Sequence, residues 1–335
     1  MKYVAALVLL LALALAGAAA LVYLPYGPTA ASDDDATFVE IAPGTTSSAM
    51  AAQLEHAGVL RSRYSFLLLR MVHGGRLKAG EYRFNHPAPA TEVYARILRG
   101  DIYTRALTIP EGYNIFDIAQ IVEKNGFAPA SAFLAAARQH TELIATLLPA
   151  GEHPASLEGY LFPDTYHFAR HTAPLTMLTA MVHRYRQVAG QLGLNDSADA
   201  ERTVILASLI EKEVSQASER PLVAGVFENR LAKAMPLATD PTVIYAALLD
   251  GRWRGTIYQS DLQSPSPYNT YRHAGLPPGP ICNPGLASLR AALNPAQTDY
   301  LYFVADAAGH TRFSADLKQH AQQVQAYRQA VRGSH

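Results

Sequence analysis

Cysteine is almost absent from the chain. Cys282 stands alone, which excludes an intrachain disulfide and any zinc site built on several cysteines. Bacterial envelope proteins can live without disulfides, so this limits the chemistry more than the compartment. Charge is scarce and balanced, with 28 acidic against 28 basic residues and a formal net charge of zero. With no basic run either, nucleic acid is not an expected partner. No Walker loop, GxGxxG or GxSxG occurs, so the signatures of nucleotide and serine-hydrolase chemistry are missing. His167 and His171 have the i, i+4 spacing of a metal pair, but nothing nearby completes an HExxH-like set, and they read as surface or packing residues. No metal or other cofactor is expected. A pyridoxal phosphate enzyme would need a buried lysine, and Lys212 falls on the outer side of its expected helix.

What is present begins at the N-terminus. Val4 to Leu24 gives 21 residues without a charge, a helix of roughly 32 Å that is long enough to span a bilayer core. Lys2 precedes the run, and Asp33, Asp34 and Asp35 follow a Pro/Gly break at residues 25–28. The positive-inside rule then predicts a cytoplasmic N-terminus with the rest of the chain exported. A cleaved signal peptide competes with this anchor, because Ala18-Ala19-Ala20 resembles a cleavage site. The apolar run exceeds a typical h-region and continues past those alanines, which favours the anchor.

The 335 residues suit about two domains. Residues 25–36 read as a linker. An internal repeat follows: Ile41 to Gly44 is trailed by Ala51, Leu54 and Gly58, and Ile109 to Gly112 by Ala119, Val122 and Gly126, at the same offsets 68 residues later. Each copy predicts a strand, a glycine turn, an amphipathic helix and a helix-ending glycine. Between them the pattern predicts a helix over 62–72, a strand over 78–84 and a helix over 90–98 started by Thr91. Beyond residue 131 it is mainly helical, over 131–148, 174–193, 198–215, 219–234 and 285–294. Loops interrupt at 236–241 and 264–284, the second stiffened by Pro265, Pro267, Pro277, Pro278, Pro280 and Pro284; long structured loops of this kind are usually functional. A strand at 300–305 and a helix at 315–331 close the chain.

The segment Val204 to Glu213 is a nearly all-apolar helix running into two carboxylates. A helix apolar all round is a buried one, so its charged end is expected to open into a cleft. On a helical wheel Glu213 falls about 20° from Leu206, whereas Glu211 falls about 140° away. The wheel leans modestly toward Glu213 as the carboxylate against apolar walls, where its pKa would rise as a general acid requires. A solvated Glu-Lys-Glu helix end fits the spacing equally well. Asp240 before Pro241 reads as an N-cap of the helix through Tyr245 and Leu248. The aromatic, turn-rich patches Glu158 to Tyr166 and Tyr268 to Tyr271 fit either sugar binding or loop packing.

Taken together, these segments resemble the endolytic murein transglycosylase family, also called YceG-like. The matching stretches are KAGEYRF from Lys78, IPEG from Ile109, EGYLFPDTY from Glu158, LASLIEKE from Leu206, TDPTVIY from Thr239, YNTYRHAGLPPGPI from Tyr268 and YLYFVAD from Tyr300. Each is weak alone; in this order, over almost the whole chain, they are highly specific. Two departures stand out. Ala238 occupies a position where the family commonly has Gln, and Cys282 one where it usually has Ala.

The resemblance implies an α+β protein with a transmembrane anchor and linker over 1–35, a small LysM-like wall-binding module over 36–104 and a larger, mainly helical catalytic domain over 105–335. It implies a single-pass protein of the bacterial inner membrane with its catalytic domain on the periplasmic side. The implied reaction cleaves the β-1,4 bond between N-acetylmuramic acid and N-acetylglucosamine within peptidoglycan strands, leaving a 1,6-anhydro end. Glu213, the second glutamate of the EKE run, is the implied catalytic residue. Asp240, Tyr245, Tyr268, Asn269, Thr270 and Tyr271 are the expected substrate-binding residues, and penicillin-binding synthases the implied partners. Three alternatives stay open on the residues: a hydrolase pairing Glu213 with Asp240 or Glu211, a non-catalytic peptidoglycan-binding anchor, and a pyridoxal-linked lyase, which has little sequence support.

Overall fold

The computed structural model describes residues 2–31, 35–148, 154–195, 197–214, 216–306 and 310–333. Asp33 and Asp34 of the acidic triplet lie outside the described residues. The chain mixes helix and sheet and divides into two compact units, residues 1–105 with 167–170, and residues 106–166 with 171–335.

The first unit opens with helix α1 (Lys2–Tyr23), long and apolar enough to cross a membrane and compatible with a single-pass membrane protein. Then come β1 (Thr37–Ile41), α2 (Ser47–His56), α3 (Arg63–His73), β2 (Gly80–Phe84) and α4 (Ala90–Arg99). The two strands pair antiparallel, from Thr37 opposite Phe84 to Ile41 opposite Gly80. Their inward residues Ile41, Tyr82 and Phe84 close a core with Leu54, Phe66, Val93 and Ile97, and Val22 at the end of α1 belongs to the same core. Arg170 joins this unit by pairing with Glu81 and lying 3.6 Å over the Phe38 ring.

After α1 the chain is tied to this unit: Tyr26 and Ala88 exchange two backbone hydrogen bonds, of 3.1 and 3.0 Å, and Ala30 N–H donates to Asn85 O. One expectation changes here. Thr91 does not start α4. Pro89 holds the cap position without a side-chain bond, since the fixed proline φ already sets the entry.

From residue 105 onward the elements are β3 (Arg105–Thr108), α5 (Ile115–Lys124), α6 (Ala130–Gln139), a 3-10 turn at Thr141–Leu147, β4 (Thr165–Phe168), α7 (Pro174–Gln191), α8 (Ala200–Glu213), α9 (Arg220–Ala232), α10 (Asp240–Leu249), α11 (Gln259–Leu262), α12 (Leu286–Leu293), β5 (Tyr302–Ala305), β6 (Thr311–Ser314) and α13 (Leu317–Gly333). β3 pairs with β4, and β5 with β6. The helix expected over 131–148 breaks at His140, whose φ and ψ of −105° and 42° leave the helical region. β4 and β6 were not expected, each being only four residues long and too short for a strand period to show.

Both repeat copies fold alike. Each strand leads through a positive-φ glycine, Gly44 at 84° or Gly112 at 76°, into α2 or α5, and each helix is followed by another, Gly58 at 71° or Gly126 at 68°. The first copy lies in the first unit and the second in the second. At the centre of the second unit, α8 packs against α9, α10 and α12. Every residue from Thr203 to Ile210 is buried, which explains why this helix is apolar on all sides.

Candidate active site

The last turn of α8 sends three charged side chains in different directions. The Glu211 side chain, 4% exposed, takes a 2.8 Å ion pair from Arg220 and a 2.9 Å hydrogen bond from Gly285 N–H. The approach at Gly285 is close: a Cβ there would fall 1.9 Å from Glu111 Oε1. Lys212 reaches across to donate to Gly112 O at 3.2 Å, tying α8 to the glycine turn of the second repeat copy. Glu211 and Lys212 therefore fasten the helix end, although Lys212 itself stays exposed.

Glu213 points elsewhere. It lines an open cavity of about 400 Å³ together with Arg230, Ala238, Asp240, Tyr271, Tyr302 and His320. Burial raises its carboxyl pKa to about 7, the Asp240 charge adds to the rise, and Arg230 opposes it. A carboxyl at that value is half protonated near neutral pH, so it can both give and take a proton there.

The cavity wall is built by a lock between two loops. Thr239 N–H donates to Thr270 Oγ1 at 3.1 Å, Thr242 and Thr270 hydroxyls meet at 2.9 Å, and Ala238 N–H donates to Thr270 O at 3.0 Å. The cap of α10 is Thr239 rather than Asp240. Asp240 sits one residue inside, where Pro241 already satisfies the first turn, and its carboxylate is left to accept a 2.7 Å bond from the Tyr271 hydroxyl.

The six expected binding residues separate accordingly. Asp240 and Tyr271 line the Glu213 cavity. Tyr268 lines a second cavity, of about 330 Å³, with Glu158 and Pro280. Tyr245, Asn269 and Thr270 are buried. The Asn269 side chain donates to Leu262 O and Ser264 O, both at 2.9 Å, and accepts from Tyr271 N–H at 3.1 Å. Asn269 and Thr270 thus spend their polar atoms on the loop itself and shape the site from behind. Tyr245 neighbours Glu158, and its ring centroid lies 5.1 Å from that of Tyr268.

Arg230 was not singled out in the sequence. Its Nε donates to Leu301 O at 2.7 Å and its Nη1 to Leu237 O at 2.8 Å, so two loops hold the guanidinium beside Glu213. Tyr302 and His320 stack at 5.1 Å on the far wall. Tyr302 lies inside the YLYFVAD stretch, which was the one signal available for it.

The chain matches the model of the YceG-like family over residues 39–326. It belongs to that family. An endolytic murein transglycosylase of Bacillus subtilis (strain 168) is 33% identical over 307 residues, covering 86% of this chain and 84% of that protein. The protein of the same name from Streptococcus pneumoniae serotype 2 is 30% identical over 300 residues, covering 80% of this chain but only 54% of its own length. The chain thus spans about half of the streptococcal protein. A 2.6 Å crystal structure of a yceG-like protein from Listeria monocytogenes superposes with a TM-score of 0.55 at 32% identity, over 86% of this chain and 98% of that one.

Within this YceG-like chain Cys282 and Ala238 have different structural settings. Cys282 is wholly buried, its Sγ 3.3 Å from Ser208 O, and serves packing against α8. Ala238 lines the cavity in a left-handed conformation, φ 50°, a geometry that costs a residue with a Cβ roughly 1 kcal/mol. The thiol of Cys282 and the small side chain of Ala238 leave Glu213 untouched. Glu158, the first residue of EGYLFPDTY, is held by Ile115 N–H at 3.0 Å and the Asn283 side chain at 2.9 Å. Burial raises its pKa to about 8.

Proposed function

We propose that this chain is an endolytic lytic transglycosylase acting on peptidoglycan, with Glu213 as general acid and base. The observation that carries the reading is the setting of Glu213, a carboxyl raised to about 7 and facing an open cavity. An ordinary glycosidase needs a second carboxylate to activate water or to attack the sugar. Here the second carboxylate at the cavity, Asp240, is engaged by Tyr271, and Glu211 is consumed by Arg220 and Gly285.

The reaction needs only one proton-transfer group. Glu213 protonates the O4 leaving oxygen of N-acetylglucosamine as the C1–O4 bond of N-acetylmuramic acid breaks. The C6 hydroxyl of the same muramic acid closes onto C1, and its proton returns to the Glu213 carboxylate. No water enters, and the attacking group is already positioned on the substrate. The Asp240 anion would stabilise positive charge developing at C1, and Tyr271 fixes that anion in place. Arg230 stabilises Glu213 once it is ionised.

The names of the bacillar and streptococcal relatives support the substrate class. α1 fits an inner-membrane anchor with the second unit on the periplasmic side, and residues 36–104 fit a LysM-like module that holds glycan near the membrane. Penicillin-binding synthases would supply the nascent strands. Mass analysis of products from intact murein strands tests the reading: anhydro ends, one water lighter than reducing ends, are expected. A hydrolase using Asp240 as base is the second reading, because Asp240 shares the cavity with Glu213. Reducing ends would establish it instead.

A further inference from the structure

Helix α3 carries two apolar stripes. Phe66 and Leu69 fill the core of the first unit. On another side, Tyr64, Leu68, Met71 and Val72 recur at i, i+4, i+7 and i+8 and are 72, 38, 78 and 67% exposed. A contiguous exposed stripe of this kind marks an interaction surface.

Three features say what meets it. α1 packs directly on α3 and α4, with Val22 in their shared core. The chain leaving α1 is fastened to the same unit by the Tyr26–Ala88 bridge. Tyr23 and Tyr26, both exposed, sit where a spanning helix places its interfacial aromatic residues. Arg61, two residues before α3, lies 5.2 Å over the Tyr26 ring, so the start of α3 is at the level of that belt. Arg61 before the helix and Arg76 after it, both exposed, flank the apolar stripe with positive charge. Apolar side chains framed by arginines are the composition of a helix lying in a lipid interface.

We propose that the Tyr64–Leu68–Met71–Val72 face of α3 inserts into the outer surface of the bilayer that α1 spans, clamping the first unit onto the membrane instead of leaving it on a tether. This rests on the reading of α1 as a membrane anchor.

The test uses the full chain in nanodiscs of phosphatidylethanolamine and phosphatidylglycerol. Cys282 is buried, so one introduced cysteine takes an environment-sensitive NBD dye selectively. Dyes at Met71→Cys and Leu10→Cys are challenged with lipids bearing a doxyl quencher, and Arg63→Cys reports from the other flank of α3. The expected result is about a twofold loss of fluorescence at both residues 71 and 10, with little loss at residue 63. Adding Leu68→Glu and Val72→Glu is expected to abolish the loss at residue 71 only. Quenching at residue 10 without quenching at residue 71 overturns the docking face and keeps the anchor. Quenching at neither overturns both. Shielding of residue 71 in native membranes without lipid quenching in nanodiscs overturns the lipid surface in favour of a protein partner.

Discussion

The Tyr271 hydroxyl donates a 2.7 Å hydrogen bond to Oδ1 of Asp240, and it is the Asp240 charge that adds to the raised pKa of Glu213. Tyr271 thereby sets the position of a charge that governs the proposed acid. Removing either neighbour of Glu213 has a predictable sign. Asp240→Asn takes away an anion that raises Glu213, so the alkaline limb of kcat/KM moves to lower pH. Arg230→Gln takes away a cation that lowers Glu213, so the limb moves to higher pH. Full pH profiles of the two variants check this: opposite shifts are expected, and shifts of one sign would sever the link.

In the proposed mechanism the acid form of Glu213 is the one that protonates the leaving oxygen. With its pKa raised to about 7, kcat/KM is expected to be level up to about pH 6, to halve near neutrality and to approach a tenfold fall per pH unit above about pH 8. Initial rates of anhydro-end formation between pH 5 and 9 measure the limb.

Stability is expected to run the same way. Glu213 and Glu158 are raised from 4.5 to about 7 and about 8, so the folded chain holds protons that the unfolded chain has released. Stability from these groups is complete below pH 4.5 and is lost as pH rises through the folded values. Tm is therefore expected to decline from pH 5 to pH 8. Glu158→Gln, which copies the protonated form, flattens the decline. Glu158→Ala instead strands Ile115 N–H and the Asn283 amide, at a cost of about 3 kcal/mol. Thermal melts across the pH range separate the two variants.

Thr270 locks the TDPT loop to the YNTY loop from a buried position. Thr270→Val leaves the Thr239 N–H without its acceptor, and Tm is expected to fall by about 5 °C. Because Asp240 and Tyr271 are carried by these same loops, KM is expected to rise as well. Thr270→Ser restores both if the hydroxyl is what matters; differential scanning calorimetry and steady-state kinetics read the two effects.

Much of the frame was legible in the residues. The repeat showed because glycines at fixed offsets mark turns that need positive φ, and α8 showed because an all-apolar helix must be buried. The wheel separated Glu211 from Glu213 only by angle. What distinguishes them is that Arg220 and Gly285 arrive at Glu211 from positions 9 and 74 residues away, which no local pattern encodes. Asn269 and Thr270 had the right chemistry for sugar hydroxyls, yet the loop uses their polar atoms itself. Arg230 was invisible for a related reason: the carbonyls that aim it belong to loops at residues 237 and 301. The Pro/Gly-rich stretch after α1 lacked periodicity, but two backbone bonds to Ala88 need none.

The most direct measurement is the rate at which Glu213→Gln releases anhydro ends from intact murein strands, with folding verified by its melt. Gln cannot exchange a proton at this site, so the rate is expected to fall by about 10²–10⁴-fold, while Tm at pH 8 rises because a strained buried charge is gone. Glu211→Gln, which loosens the Arg220 pair, is expected to lose stability more than turnover. If Glu213→Gln keeps the rate within tenfold of the unaltered protein, Glu213 is not the acid.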